Sequence, residues 1–154
     1  MGGDFESEPG RIPLMDIEAL IPHRDRMKLI EEVVAINDEA AVTTARVSDR
    51  WPLYRGDYVD PIVLVEVVAQ TAAVHISRRR RSDKGVDRRG WIVGIKNADF
   101  FQDRIPVGTV LTTTVKNLYH IDNYNVLDGE VQAGADLLCR VQIQVFRESD
   151  EETT

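Results

Sequence analysis

Cysteine is nearly missing from this chain: Cys139 is the only one among 154 residues. A single thiol cannot close an internal disulfide, and it excludes any site that needs two Cys ligands, such as a zinc ribbon. A fold without disulfides suits a reducing compartment, so a cytoplasmic protein is expected. Long apolar runs are missing too. The longest apolar-dominated stretch, Pro61 to Ile76, is shorter than a membrane span and carries Glu66, Gln70 and His75. Met1–Arg11 holds no apolar run that would read as a signal peptide or anchor. Basic residues are in deficit, with 19 Lys and Arg against 26 Asp and Glu and a net charge of -7. That balance disfavours a general nucleic-acid binder.

The charge is unevenly spread. Asp4, Glu6 and Glu8 at one end and Glu148, Asp150, Glu151 and Glu152 at the other account for all of the -7. Residues 1–10 and 148–154 read as solvated acidic tails, and 11–147 as one domain of balanced charge. No repeat or low-complexity linker divides it, and the length suits a single core.

Several segments have readable periodicity. Leu14–Ile21 shows apolar residues at 14, 17, 20 and 21, a short amphipathic helix that Pro22 should end. Met27–Ile36 and Ala41–Val47 are β-branched runs separated by Asn-Asp-Glu, which predicts a hairpin. Trp51–Asp60, with Pro52 and Gly56, reads as irregular.

Pro61–Arg81 favours a strand by its Val and Ile content and a helix by its length. Asp60 before Pro61 fits an N-cap followed by the first helical position, and four arginines suit a helix C-terminus. A helix apolar nearly all round must be buried on most sides. Four strand-like runs follow: Gly90–Phe101, Thr109–His120, Asn125–Ala133 and Leu137–Phe146, with turns at Pro106–Gly108 and Ala133–Asp136. The predicted architecture is α+β, a curved antiparallel sheet of about six strands wrapped around one long central helix.

Three motifs, in order, resemble those of the hotdog-fold (3R)-hydroxyacyl-[acyl-carrier-protein] dehydratases. Ile21-Pro22-His23-Arg24, followed by Met27-Lys28-Leu29-Ile30-Glu31-Glu32-Val33, is similar to that family's "PHR...LLIDRV" opening. Val63-Leu64-Val65-Glu66-Val67-Val68-Ala69-Gln70-Thr71 is similar to its helix motif "LILEAMAQ". Gly94-Ile95-Lys96-Asn97-Ala98-Asp99-Phe100, then Pro106-Val107-Gly108, is similar to "GIDNAKF...PG". The familiar members carry a catalytic His in a "GHFPG" loop before the central helix. This chain has Arg55-Gly56-Asp57-Tyr58-Val59-Asp60-Pro61 there, without histidine and with Asp57 near the missing position. It looks closer to a divergent branch associated with aryl-polyene-type acyl chains, which keeps the opening motif and the helix Glu. The resemblance implies a hotdog fold and dehydration of 3-hydroxyacyl thioesters in fatty-acid or polyene-type synthesis. It implies no cofactor beyond the phosphopantetheine of acyl carrier protein, or coenzyme A, that carries the substrate, and no metal. It also implies a dimer or higher, formed with itself or with another hotdog subunit.

Dehydration needs a base for the α-proton, an acid for the departing hydroxyl and donors for the thioester oxyanion. Glu66, set among valines, is the candidate acid, and its apolar surroundings predict a raised pKa. Gln70, four residues on, shares its helical face and is a candidate for binding substrate or positioning Glu66. His23 is the candidate base, since its imidazole titrates in the useful range. Its plainer alternative is a residue that pins the loop. Gly56, Asp57 and Gly94 are candidate substrate-binding positions, and the backbone N–H groups near Ile62 and Val63 are candidate oxyanion donors. His75, nine residues after Glu66, falls on the opposite helix face and reads as structural. His120 reads as solvated and Cys139 as a core thiol.

Arg78, Arg79, Arg80, Arg81, Lys84, Arg88 and Arg89 face only Asp83 and Asp87 in the stretch 78–89. The bland reading is a solvated helix end, and the functional one is a docking patch for an acidic acyl carrier protein. Two rivals to the dehydratase reading stay open: a catalytically silent acyl-binding hotdog subunit that partners another dehydratase, and a hotdog acyl thioesterase.

Overall fold

The computed structural model describes residues 27–82 and 90–147. The predicted helix at Leu14–Ile21, both acidic tails, His23, Arg88 and Arg89 lie outside the described residues, as do the side chains of Arg78–Arg81 and His120.

The element order is β1 (Glu32–Ile36), β2 (Ala40–Arg46), β3 (Tyr58–Val59), helix α1 (Val63–Ser82), β4 (Gly90–Phe100), β5 (Ile105–Pro106), β6 (Val110–Ile121), β7 (Tyr124–Ala133) and β8 (Asp136–Arg147). Six strands form one antiparallel sheet in the order β1-β2-β6-β7-β8-β4. One helix touches β2, β4, β6, β7 and β8. A cylinder can meet five strands of one sheet only if the sheet curves around it. This is the hotdog arrangement expected from the motifs.

The hairpin between β1 and β2 turns on Asn37, whose Oδ1 accepts from the N–H groups of Glu39 and Ala40 at 2.8 Å each. Such a side-chain-to-backbone bond is why Asn is favoured in turns. β1 is shorter than its β-branched run predicts. The Leu29 and Ile30 N–H groups bond to the Gln70 side chain instead of a neighbouring strand.

The start of α1 is set by Asp60. Its Oδ1 accepts from Ile62 N–H at 3.0 Å, satisfying one of the orphan donors of the first turn. Its carbonyl accepts from Val63 N–H at 3.1 Å, and Leu64 and Val65 continue with bonds to Pro61 and Ile62. The helix thus opens with a tight three-residue turn.

The core lies between the sheet and α1. Leu64, Val67, Val68 and Val74 on the helix meet Val115, Leu127, Val131, Cys139, Val141 and Ile143 on the sheet. Gly129 of β7 lies directly under Val68. A Cβ at position 129 would come within 2.4 Å of Val68 Cγ1, so the missing side chain sets how closely helix and sheet approach. Thr43 and Thr71 join hydroxyls at 2.7 Å across the same interface, and Thr71 also donates to the Val67 carbonyl at 2.9 Å.

A second, two-stranded sheet pairs β3 with β5, where the sequence suggested only irregular chain. It buries Val59 and Ile105 and holds the loop before the helix. Among the described residues no helix is long and apolar enough to cross a membrane.

Candidate functional site

The burial pattern of α1 singles out one stripe. Leu64, Val67, Val68, Gln70, Thr71, Ala72, Val74 and His75 are buried. Ile62 is 51% exposed, and Val65, Glu66 and Ala73 are half-buried. At about 100° per residue, positions 65, 66 and 73 fall on one side of the helix, with Ile62 just before its first residue and the buried Ala69 between them. Glu66 is the charged member of an otherwise apolar stripe that the sheet leaves uncovered. It is half-buried, less enclosed than its valine-rich surroundings predict.

Gln70 sits beside that stripe and is fully buried. Its Oε1 accepts from Leu29 N–H at 2.9 Å and Ile30 N–H at 3.3 Å. Its Nε2 donates to the Met27 carbonyl and, at 3.2 Å, to Glu66 Oε1. One amide thus binds the chain just after the opening motif to the carboxylate of the helix. That partnership joins residues 40 to 43 apart, and the sequence carries no signal of it beyond the four-residue spacing of Glu66 and Gln70.

His75 projects from the opposite face, where its Nε2 lies 3.1 Å from the Asp38 carbonyl, as its spacing predicted. Cys139 is buried on the inner face of β8, and desolvation pushes its thiol up to about 12. The thiolate, which is the nucleophilic form, is therefore suppressed.

Gly56 and Asp57 occupy the tip of the loop that precedes the helix, and both are exposed. Gly56 has a φ of 101°, in the region that favours glycine, with open space around the position of a Cβ. The Tyr54 hydroxyl donates to the Gly56 carbonyl, and the Asp57 carbonyl accepts from Val107 N–H at 3.0 Å. The loop is closed by Asp60 N–H to the Leu53 carbonyl at 3.1 Å, with Leu53 at a φ of 63°, uncommon for a leucine. Gly94 stands apart on β4, paired with Gln144. A Cβ there would lie 3.0 Å from Gln144 Oε1, so its glycine makes room for a neighbour in the same sheet. The Ile62 and Val63 N–H groups, considered as oxyanion donors, are both engaged by Asp60.

Asp128, on the face of β7 away from the helix, escaped the sequence reading. Desolvation raises its carboxyl above the usual value, against the pull of Arg140. It sits opposite Lys116 and Gln142 in the ladder, on the sheet face turned away from the helix.

Most of the chain has relatives. A family model described as ApeP dehydratase, of the ApeP-like family, matches residues 15–154. The 3-hydroxyacyl-[acyl-carrier-protein] dehydratase FabZ of Polynucleobacter asymbioticus is 26% identical over 148 residues, covering 88% of this chain and 97% of that relative. The dehydratase heterocomplex ApeI:P from Xenorhabdus doucetiae contains a chain that superposes with a TM-score of 0.77 at 20% identity, over 88% of this chain and 93% of that one. A hypothetical thioesterase with coenzyme A from Streptococcus pneumoniae superposes with a TM-score of 0.65 at 14% identity, over 89% and 98%.

Proposed function

Because this chain belongs to the ApeP-like dehydratase family, we propose that it serves the removal of water from 3-hydroxyacyl thioesters carried on acyl carrier protein. The product is the trans-2-enoyl thioester. The observation that carries this reading is Glu66: a carboxylate on an uncovered apolar stripe, held by an amide that also grips Met27–Ile30. An apolar stripe suits an acyl chain, and the Glu66 carboxyl, in its protonated form, supplies the proton that leaves with the hydroxyl as water while the base takes the α-proton. His23 stands four residues before Met27 in the sequence. It is the proposed base for the α-proton.

Replacing Glu66 with Gln keeps the shape and removes the acid. Turnover of a 3-hydroxyacyl carrier substrate should fall by about 10²-fold or more, the usual contribution of general acid catalysis. Unchanged turnover in Glu66→Gln sinks the assignment. His23→Asn should give a loss of similar size if His23 is the base.

The surface fits assembly with a second hotdog chain. β4 is an eleven-residue edge strand, and Ile95 on it is exposed. Such an edge presents unpaired backbone groups that another strand can complete. Arg78, Arg79, Arg80 and Arg81 in the last turns of α1, with Arg88 and Arg89 beyond, are the proposed docking site for the acidic carrier. A silent subunit that completes a partner's site is favoured by one observation, the loop Arg55–Pro61 without histidine. Activity of the purified chain alone supports catalysis by this subunit. Activity only with a second dehydratase-like chain present supports the silent reading.

A further inference from the structure

We infer that Gln70 is a positioning residue, whose amide fixes the direction of the Glu66 carboxyl and does not itself contact substrate. The inference rests on the proposed role of Glu66. Gln70 was a candidate for substrate binding, but an amide has two donors and two acceptor lone pairs. Both Nε2 hydrogens and both Oε1 lone pairs have partners within the chain: Met27 carbonyl and Glu66 Oε1 for the first, Leu29 and Ile30 N–H for the second. With no exposure and no lone pair to spare, the side chain has nothing left for a ligand.

The polarity of these four bonds is fixed from outside. Two backbone N–H groups demand an acceptor on one side of the amide. A backbone carbonyl demands a donor on the other, and the same nitrogen carries the hydrogen that points at Glu66. The amide orientation is therefore dictated by the Met27–Ile30 backbone and cannot flip to follow Glu66. Glu66 is held by a donor whose direction the main chain sets. One side chain thus couples the Met27–Ile30 backbone to the carboxylate.

Chemistry separates this role from a purely structural one. Gln70→Glu is nearly isosteric and keeps an acceptor for Leu29 and Ile30. It replaces the nitrogen donor with an oxygen facing both the Met27 carbonyl and the Glu66 carboxylate. Two carboxyl groups at that spacing cannot both ionise easily and share a proton. The limb of the kcat/KM–pH profile that reports Glu66 should move up by about one pH unit or more. Gln70→Met, which keeps volume and loses all four bonds, should lower kcat about tenfold with KM within twofold. A change in KM with kcat and pH profile intact would mark a substrate contact and overturn the inference.

A measurement on the unaltered protein covers variants that do not fold. The Gln70 side-chain amide resonances should titrate with pH together with the Glu66 carboxyl, and that titration should vanish in Glu66→Gln. Amide resonances of Gln70 that ignore pH overturn the inference. Loss of turnover in Glu66→Gln without any of these Gln70 effects would leave the dehydratase reading standing and remove this one. Full turnover in Glu66→Gln would remove the reading on which it rests.

Discussion

The two faces of α1 are built from similar residues and do opposite things. On one side Leu64, Val68, Thr71 and His75 are sealed against the sheet, with a glycine beneath Val68 to bring the layers together. On the other side Ile62 is exposed and Val65, Glu66 and Ala73 are only half-buried. Apolar composition therefore does not distinguish packing from function on this helix. What distinguishes them is whether the sheet supplies a surface to meet each position. The sealed face stabilises the fold; the open one leaves apolar area exposed around a single carboxylate.

Substitutions on the two faces should separate cleanly. The largest effect on stability is expected at Leu64→Ala, about 2–5 kcal/mol lost from a fully buried side chain. Chemical denaturation measures it; a loss under 1 kcal/mol would contradict a sealed face. Gly129→Ala comes next. Its methyl collides with Val68, costing about 1–3 kcal/mol, and Val68→Ala in the same chain should recover part of the loss. Additive losses in a double-mutant cycle would mean the contact is not what glycine serves.

On the open face Ile62→Ala should change stability by no more than about 0.5 kcal/mol. It should raise KM for long acyl chains or weaken assembly, read by kinetics and sedimentation; a large stability loss would break the contrast. Smallest of all is the response of Cys139. With its thiol at about 12, thiolate is scarce at pH 8, and a thiol reagent should label the native protein hardly at all and the unfolded protein fully. The sign follows from the raised value: labelling becomes competitive only as pH climbs toward that value. Rapid native labelling would show that the inner face of β8 opens.

Much of the fold was legible because its signals are local. Period-two alternation marks β8, Asn-Asp-Glu marks the first turn, and Asp60-Pro61 marks the helix start within two residues. The hotdog arrangement followed from the order of these elements and three motifs. The parts that escaped depend on partners far along the chain. Gln70 withdraws Leu29 and Ile30 from the hairpin, which no propensity of those residues foretells. Gly129 in a strand reads as a weak point, and only Val68, 61 positions earlier, gives it a reason. β3 and β5, two residues each, are too short for any periodicity to reveal. At the site, sequence picked out Glu66 and Gln70 as neighbours on one helix face but not which way the amide would be spoken for.

The strand order also dictates a timetable. A ribosome finishes α1 before any residue of β6, β7 or β8 exists, and those strands supply most of the surface that covers it. Roughly 65 residues separate the end of the helix from the end of β8, which at 5–20 residues per second leaves the valine-rich segment waiting for ~3–13 s. During that interval the strands of the sheet available to shelter it are β1, β2 and, as it emerges, β4. The three-stranded meander of β6, β7 and β8 closes through short turns and assembles quickly once made, whereas β2 joins β6 across a gap of dozens of residues. Synthesis from the N-terminus therefore exposes the helix at its most adhesive, and nascent chains arrested before Val110 are the species on which chaperones should be found.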